Sequence, residues 1–195
     1  RQRFLRKRHS PVQMSTRRAI GELLTGDEAT FRADAPSFLA DHGLDPDRVE
    51  RASGDLSALE TGLSDDDVTA LSADERDLVR RVWALDTAPL GITVAGPVYQ
   101  DNPVVYANQT FRELTGYSLA DVRGENLRLL QGADTEPGPV DSLREALDIW
   151  ESVTVELWNY RADGTRFRNR VTLRPVRNGT GMITNWIGLQ SRVGD

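Results

Sequence analysis

The chain of 195 residues contains no cysteine. That absence excludes disulfides, thiolate metal sites and thiol catalysis, whatever the fold. Histidine is nearly absent as well: His9 and His42 lie far apart, and neither has a second ligand at metal-binding spacing. Both are read as solvated or helix-end side chains, and no metal is assigned. No apolar run approaches the roughly 20 residues that span a bilayer, and no signal-peptide pattern opens the chain. A cytoplasmic protein without membrane association is the expectation. Lys7 is the only lysine, so arginine carries nearly all the positive charge, a bias that a GC-rich genome explains. With 24 basic against 30 acidic residues the net charge is -6, which disfavours bulk nucleic-acid binding. The aspartate excess, sampled in Asp65-Asp66-Asp67, would suit a salt-loving organism, where surface carboxylates keep proteins hydrated.

What is present suits a globular protein: 38% hydrophobic and 28% charged residues, enough for one core and an appendage. Residues 1–14 hold Arg1, Arg3, Arg6, Lys7 and Arg8 and are read as a basic flexible tail. Residues 15–84 are expected to form a helical N-terminal extension or cap. Ala19, Ile20, Leu23 and Leu24 share a helix face, Phe38 and Leu39 lead to a stop at His42-Gly43, and Asp45-Pro46 offers a cap and first turn for a helix carrying Val49 and Ala52. Such short helices bury little alone, so they should dock on the main domain, on another copy or on an output module. Ser72-Ala73-Asp74-Glu75 is a capping box ahead of Leu78, Val79, Val82, Trp83 and Leu85 at helical spacing.

Residues 85–195 read as the main domain. Gly91 to Ala95 and Val104 to Ala107 are predicted strands. Short helices follow over Asn108 to Tyr117, with Phe111 and Leu114 inward, and over Leu119 to Val122, capped by Ser118. A longer helix over Pro139 to Asp148 has Val140, Leu143 and Leu147 on its apolar side. Three strands complete the chain, Val153 to Tyr160, Thr165 to Val176 and Ile183 to Arg192, joined by hairpin turns at Asp163-Gly164 and Asn178-Gly179.

Strand parity then sorts the side chains. Val153, Val155, Leu157 and Asn159 share one face, as do Asn169, Val171 and Leu173, and Thr184, Trp186, Gly188 and Gln190. Each apolar row thus contains an amide. A buried amide without partners costs about 1 to 3 kcal/mol, so three of them imply either mutual or backbone pairing or a ligand between them. A flat ring whose edge presents acceptor, donor and acceptor in sequence would match such amides, and Gly188 would let it lie close.

The stretch Gly124-Glu125-Asn126-Leu127-Arg128-Leu129-Leu130-Gln131-Gly132 resembles the signature Gly-x-Asn-Cys-Arg-Phe-Leu-Gln of the LOV (light-oxygen-voltage) branch of the PAS fold. Leu127 stands at the cysteine position and Leu129 at the phenylalanine. The resemblance runs from about Ile92 to Gln190 and implies an α+β fold, a five-stranded antiparallel sheet with short helices on one face. It implies that Asn159 and Asn169 meet the pyrimidine edge of a flavin, Gln190 its O4/N5 corner, Asn126 and Gln131 the ribityl chain and ring side, and Arg128 and Arg144 the phosphate. Arginine suits that last role because a guanidinium offers a phosphate two parallel donors. The loop from Gln131 to Pro139 is short, which favours FMN, with FAD or riboflavin as alternatives.

The expected function is a LOV-type flavin sensor of blue light or redox state, acting in signal transduction. Without a cysteine it cannot form a cysteinyl adduct, so photoreduction to a semiquinone or hydroquinone would be the signal. Trp186 is the first candidate electron donor, with Tyr106 and Trp158 behind it. Ile183, Ile187 and Leu189, beside Trp158, make the other sheet face too apolar for solvent. Its expected cover is the helix bearing Leu78, Val82 and Trp83 or the same face of a second subunit, hence a homodimer tuned by flavin state, with an output domain or downstream partner. The alternative is a cofactor-free PAS interaction module. An enzyme is not expected, because no nicotinamide-binding glycine pattern, Gly-x-Ser-x-Gly or identifiable base is present.

Overall fold

The computed structural model describes residues 11–194. Five helices come first: α1 (Pro11–Thr25), α2 (Glu28–Asp41), α3 (Arg48–Ala52), α4 (Asp65–Ala70) and α5 (Ala73–Ala84). Local chemistry sets their ends. Asp27 caps α2 by accepting from the Thr30 N–H, and His42 closes it. Ser64 with Asp67, and Ser72 with Glu75, form reciprocal capping boxes that satisfy otherwise orphaned N–H groups of α4 and α5. Asp45 does not cap α3 directly. Its carboxylate accepts from the Asp47 N–H and the helix proper starts at Arg48. Most of the proposed basic tail lies outside the described residues, and Pro11 to Met14 already belong to α1.

The sheet contains β1 (Gly91–Ala95), β2 (Val104–Ala107), β3 (Val153–Tyr160), β4 (Arg166–Arg177) and β5 (Ile183–Arg192), in the spatial order β2-β1-β5-β4-β3 with every pairing antiparallel. Between β2 and β3 run α6 (Gln109–Thr115), α7 (Leu119–Val122), a 3-10 turn (Leu127–Leu130) and α8 (Pro137–Ile149). The predicted strands recur within one residue at either end. The β3–β4 turn has Gly164 in the left-handed region, as Asp163-Gly164 implies. The β4–β5 connection differs: Gly181, not Gly179, has positive φ, and the Asn178 carboxamide oxygen accepts from the Thr180 and Met182 N–H groups. The side chain of Asn178 builds a longer loop where its dipeptide suggested a two-residue turn.

Each sheet face has its own cover. Ile92, Val94, Ile187 and Leu189, all buried, join Ile20, Leu24, Leu39, Leu78, Val79 and Val82 in one core. The outer face is therefore closed by the chain's own α1 and α5. Arg17 anchors α1 across β4 and β5, donating to the Leu189 carbonyl at 2.7 Å, the Thr172 hydroxyl at 3.2 Å and the Ser191 hydroxyl at 2.5 Å. Arg48 of α3 lies 4.0 Å above the Trp83 ring and donates to the Trp83 carbonyl at 2.6 Å, tying α3 to α5. The edge strand β3 is shielded by the loop before α8: Thr135 donates to the Trp158 carbonyl and Glu136 accepts from its N–H.

Candidate functional site

On the other face, α8 and the 3-10 turn stand off from the sheet and leave a cavity of about 310 Å³, at the small end of the usual range for ligand sites. The three parity rows meet there in part: Val153 and Val155 do not reach it, and Thr184 lines a separate cleft beside α1 and α5 instead. Leu157 and Asn159 come from β3, Asn169, Val171 and Leu173 from β4, and Trp186 and Gln190 from β5. Val140, Leu143 and Leu147, the apolar side of α8, form the opposite wall, with Leu127 and Leu130 beside them. Gly188 faces the same way: a Cβ there would lie 2.5 Å from the Thr93 hydroxyl and 2.9 Å from the Gln190 amide nitrogen.

The amides are buried, and their bonding is incomplete. Asn169 donates to the Asn159 carboxamide oxygen at 2.9 Å, and Asn159 donates to the Trp158 carbonyl at 3.2 Å. Mutual and backbone pairing thus accounts for part of the row. Asn169 Oδ1 and Gln190 Oε1 remain buried with no hydrogen-bond partner. Gln190 otherwise meets only the Thr93 hydroxyl, at 3.4 Å. Two unpaired carbonyl oxygens on an otherwise apolar wall are what a flat heterocycle with a polar edge would satisfy. The residues present therefore fit a flavin ring.

The mouth of the cavity is organised by a kink in the chain. Asp101 and Asn102, at φ 66 and 48, occupy the left-handed region that aspartate and asparagine tolerate better than most residues. This aims Asp101 at the signature stretch. Its carboxylate takes two hydrogen bonds from Arg128, at 2.7 and 2.5 Å, and its carbonyl accepts from the Asn126 amide at 2.7 Å. Hydrogen bonding to Arg128 holds the Asp101 carboxyl below the usual carboxylate range. Asn126 also caps the 3-10 turn, its Oδ1 accepting from the Arg128 N–H.

Each sequence-derived site residue can now be placed. Asn126, Leu127, Arg128, Gln131, Arg144, Asn159, Asn169 and Gln190 all line the cavity, whereas Gly188 does not line it and lies beside it, against Thr93, Gln190 and Leu173. Within the chain, Asn126 works as scaffold, Arg128 is neutralised by Asp101, and Arg144 pairs with Asp141 at 2.9 Å. Among the three aromatic donors only Trp186 is at the cavity. Tyr106 pairs in register with Val94 and joins the outer-face core, and Trp158 sits under Arg166 and Arg168, with ring distances of 4.5 and 5.7 Å. Asn102 and Thr93 escaped the sequence reading. Asn102 sits in Asp101-Asn102-Pro103, a turn signal that could have drawn notice, whereas Thr93 in a hydrophobic strand carries no signal of its own.

Residues 89–191 match the model of the PAS domain family PAS_9. The chain is 34% identical over 180 residues to the bacterioopsin transcriptional activator of Halobacterium salinarum, an alignment covering 92% of this chain and 25% of that protein. Its length carries it well beyond residues 89–191, onto the N-terminal helices. Blue-light-activated histidine kinase 1 of Erythrobacter litoralis is 42% identical over 106 residues, 54% of this chain and 29% of the kinase. Among solved structures, one described as a flavin analogue shedding light on the light-oxygen-voltage domain mechanism superposes with a TM-score of 0.55 at 43% identity, covering 58% of this chain and 84% of that one. The chain thus spans about a quarter of the length of these curated relatives. With that family match over residues 89–191 and these likenesses to blue-light kinases and a LOV structure, the chain belongs to the PAS domain family, in its LOV branch.

Proposed function

We propose that the cavity binds a flavin, FMN in first place and riboflavin or FAD as alternatives, and that the chain is the sensory part of a blue-light or redox signalling protein. The single observation that carries this is the convergence of Asn159, Asn169 and Gln190 on one apolar cavity with two carbonyl oxygens left unpaired. A bound flavin would supply blue-light absorption and the capacity to accept electrons. The chain's residues do the rest. Leu127 keeps the space beside the ring apolar and offers no thiol. Asn159 and Asn169 orient the polar edge, and the walls of α8 exclude water. Arg128 and Arg144 hold the phosphate of FMN once they exchange their present carboxylate partners for it. Trp186, 2% exposed at the cavity, is the electron donor.

Output would pass through β5. Arg17 grips the backbone and side chain on either side of Gln190, so a change at Gln190 bears directly on the docking of α1. Homodimerisation through the outer face would require α1 to leave it. Control of a partner or output domain, as the names of the relatives suggest, and a non-catalytic role for this chain belong to the same reading. No helix among the described residues is long and apolar enough to cross a membrane.

The experiment is colour. The purified chain, alone or after incubation with FMN, should be yellow and fluorescent with a structured blue band. A sample that stays colourless sinks the sensor and favours a cofactor-free interaction module, the reading supported by the Asn159–Asn169 pair. Light scattering in darkness, in blue light and after chemical reduction in darkness then separates light from redox input.

A further inference from the structure

We infer that Thr93 is a positioning residue for Gln190, a hydroxyl that exchanges donor and acceptor roles so that the buried amide can take either orientation. The inference rests on the flavin reading and names the regulation of that same site.

Thr93 and Gln190 are each 1% exposed and lie on adjacent strands of the sheet. In register, Gly188 stands opposite Thr93 and Gly91 opposite Gln190. The side chains of Thr93 and Gln190 therefore approach diagonally across Gly188. No side chain other than glycine leaves them room, since a Cβ at 188 would sit within 3 Å of both polar atoms. The Gln190 Nε2 donates to Thr93 Oγ1 at 3.4 Å, and Oε1 is left buried and unpaired.

A primary amide has a donor end and an acceptor end. If its neighbour were a backbone N–H or carbonyl, turning the amide over would replace a hydrogen bond by two like groups facing each other, at a cost of order 1 to 3 kcal/mol. A hydroxyl is both donor and acceptor and rotates to suit. Against Thr93, the two orientations of Gln190 are therefore nearly equal in energy. The choice passes to whatever faces the other end of the amide. An acceptor in the cavity draws the NH2 end and leaves Oε1 to accept from Thr93. A donor draws Oε1 and leaves Nε2 to donate to Thr93, the arrangement seen here. The flavin N5 atom is such a group, an acceptor when the ring is oxidised and a donor once it carries a proton. Near-degeneracy is what a small local change needs to move a population.

The test uses the full chain loaded with FMN, before and after reduction by dithionite, which supplies the electrons while water supplies the proton. The infrared difference spectrum should contain a glutamine side-chain carbonyl band that Gln190→Leu removes. Thr93→Val, apolar toward both ends of the amide, should retain the flavin and shift that band, and Thr93→Ser should return it to its wild-type position. Gly188→Ala, which fills the space between the two groups, should also shift it, and carries the test if Thr93→Val does not fold. A band left unshifted in a flavin-loaded Thr93→Val or Gly188→Ala protein overturns the role of Thr93 and leaves flavin binding standing. A wild-type chain that takes up no flavin overturns both.

Discussion

The Asp101 carboxylate holds the Arg128 guanidinium through two hydrogen bonds of 2.7 and 2.5 Å at the mouth of the cavity. The pair straps the β1–β2 loop to the signature stretch and spends the charge that a phosphate would use. Asp101→Asn keeps the tolerance for positive φ and removes the competing charge. Affinity for FMN relative to riboflavin should rise about tenfold, near 1.4 kcal/mol, in paired fluorescence titrations. An unchanged ratio would remove Arg128 from phosphate binding. The strap also has a pH sense. Because the Asp101 pKa is lowered in the folded chain from its ordinary 3.8, its contribution is complete above that value and is lost as pH falls through the lower, folded one. Acid should mimic the substitution in the same titrations only once the pH has fallen below that lowered folded value, and not at 3.8 itself.

Leu127 lines the cavity where the family signature has cysteine. Leu127→Cys exchanges a larger apolar side chain for a smaller one that carries a thiol, at a partly exposed position, and should fold. The flavin-loaded variant should lose its blue absorption band under light and recover it in darkness, a cycle the parent chain does not make. A loaded variant with no such cycle would show that the ring lies elsewhere.

Trp186 is separated from the other donor candidates by the sheet itself, with Tyr106 packed in the outer core and Trp158 at the β3 edge. Trp186→Phe keeps an aromatic wall and raises the oxidation cost of the donor. Photoreduction followed by flavin absorbance should slow at least about tenfold, equivalent to about 1.4 kcal/mol on the barrier, while Tyr106→Phe and Trp158→Phe leave it within about twofold. Equal rates in all three would point to an external reductant.

Arg17 is a charged side chain drawn into the outer-face contact, where burial pushes its pKa down to about 10 against the pull of Glu156. It remains charged at neutral pH, and its cost of burial is present throughout that range, easing only as pH rises past about 10. Arg17→Ala removes a donor from the Leu189 carbonyl and from the hydroxyls of Thr172 and Ser191, of which Thr172 keeps the Thr154 hydroxyl at 2.8 Å. We expect a net loss of about 1 to 2 kcal/mol, or about 2 to 8 °C in Tm, with faster hydrogen exchange in α1. Arg17→Met, which keeps the apolar stem, should lose less. Full retention of α1 protection in Arg17→Ala would mean that apolar packing alone docks the helix.

Much of this molecule is legible along the chain. Strand parity placed Asn159, Asn169, Gln190 and Trp186 on one side because alternation is a property of the extended backbone, independent of what surrounds it. Ser72-Glu75 and Asn108 marked helix starts because a cap satisfies N–H groups only a few residues away. The absence of cysteine settled the covalent chemistry outright.

Tertiary structure decided whatever depends on two distant segments meeting. That α1, and not a second subunit, covers Ile187 and Leu189 follows from the packing of residues more than 160 positions apart, and the anchor, Arg17, looks like any surface arginine in the sequence. Arg128 shows the same limit, since its residue type announces an anion site while its partner Asp101 comes from another loop. Thr93 is the clearest case. In the chain it is one threonine in Gly91-Ile92-Thr93-Val94-Ala95, and only the β1–β5 register, with the space at Gly188, brings its hydroxyl to the Gln190 amide. Local propensities are written in neighbouring residues, but hydrogen bonds between strands are set by register, and register is fixed only when the whole sheet closes on its two covers.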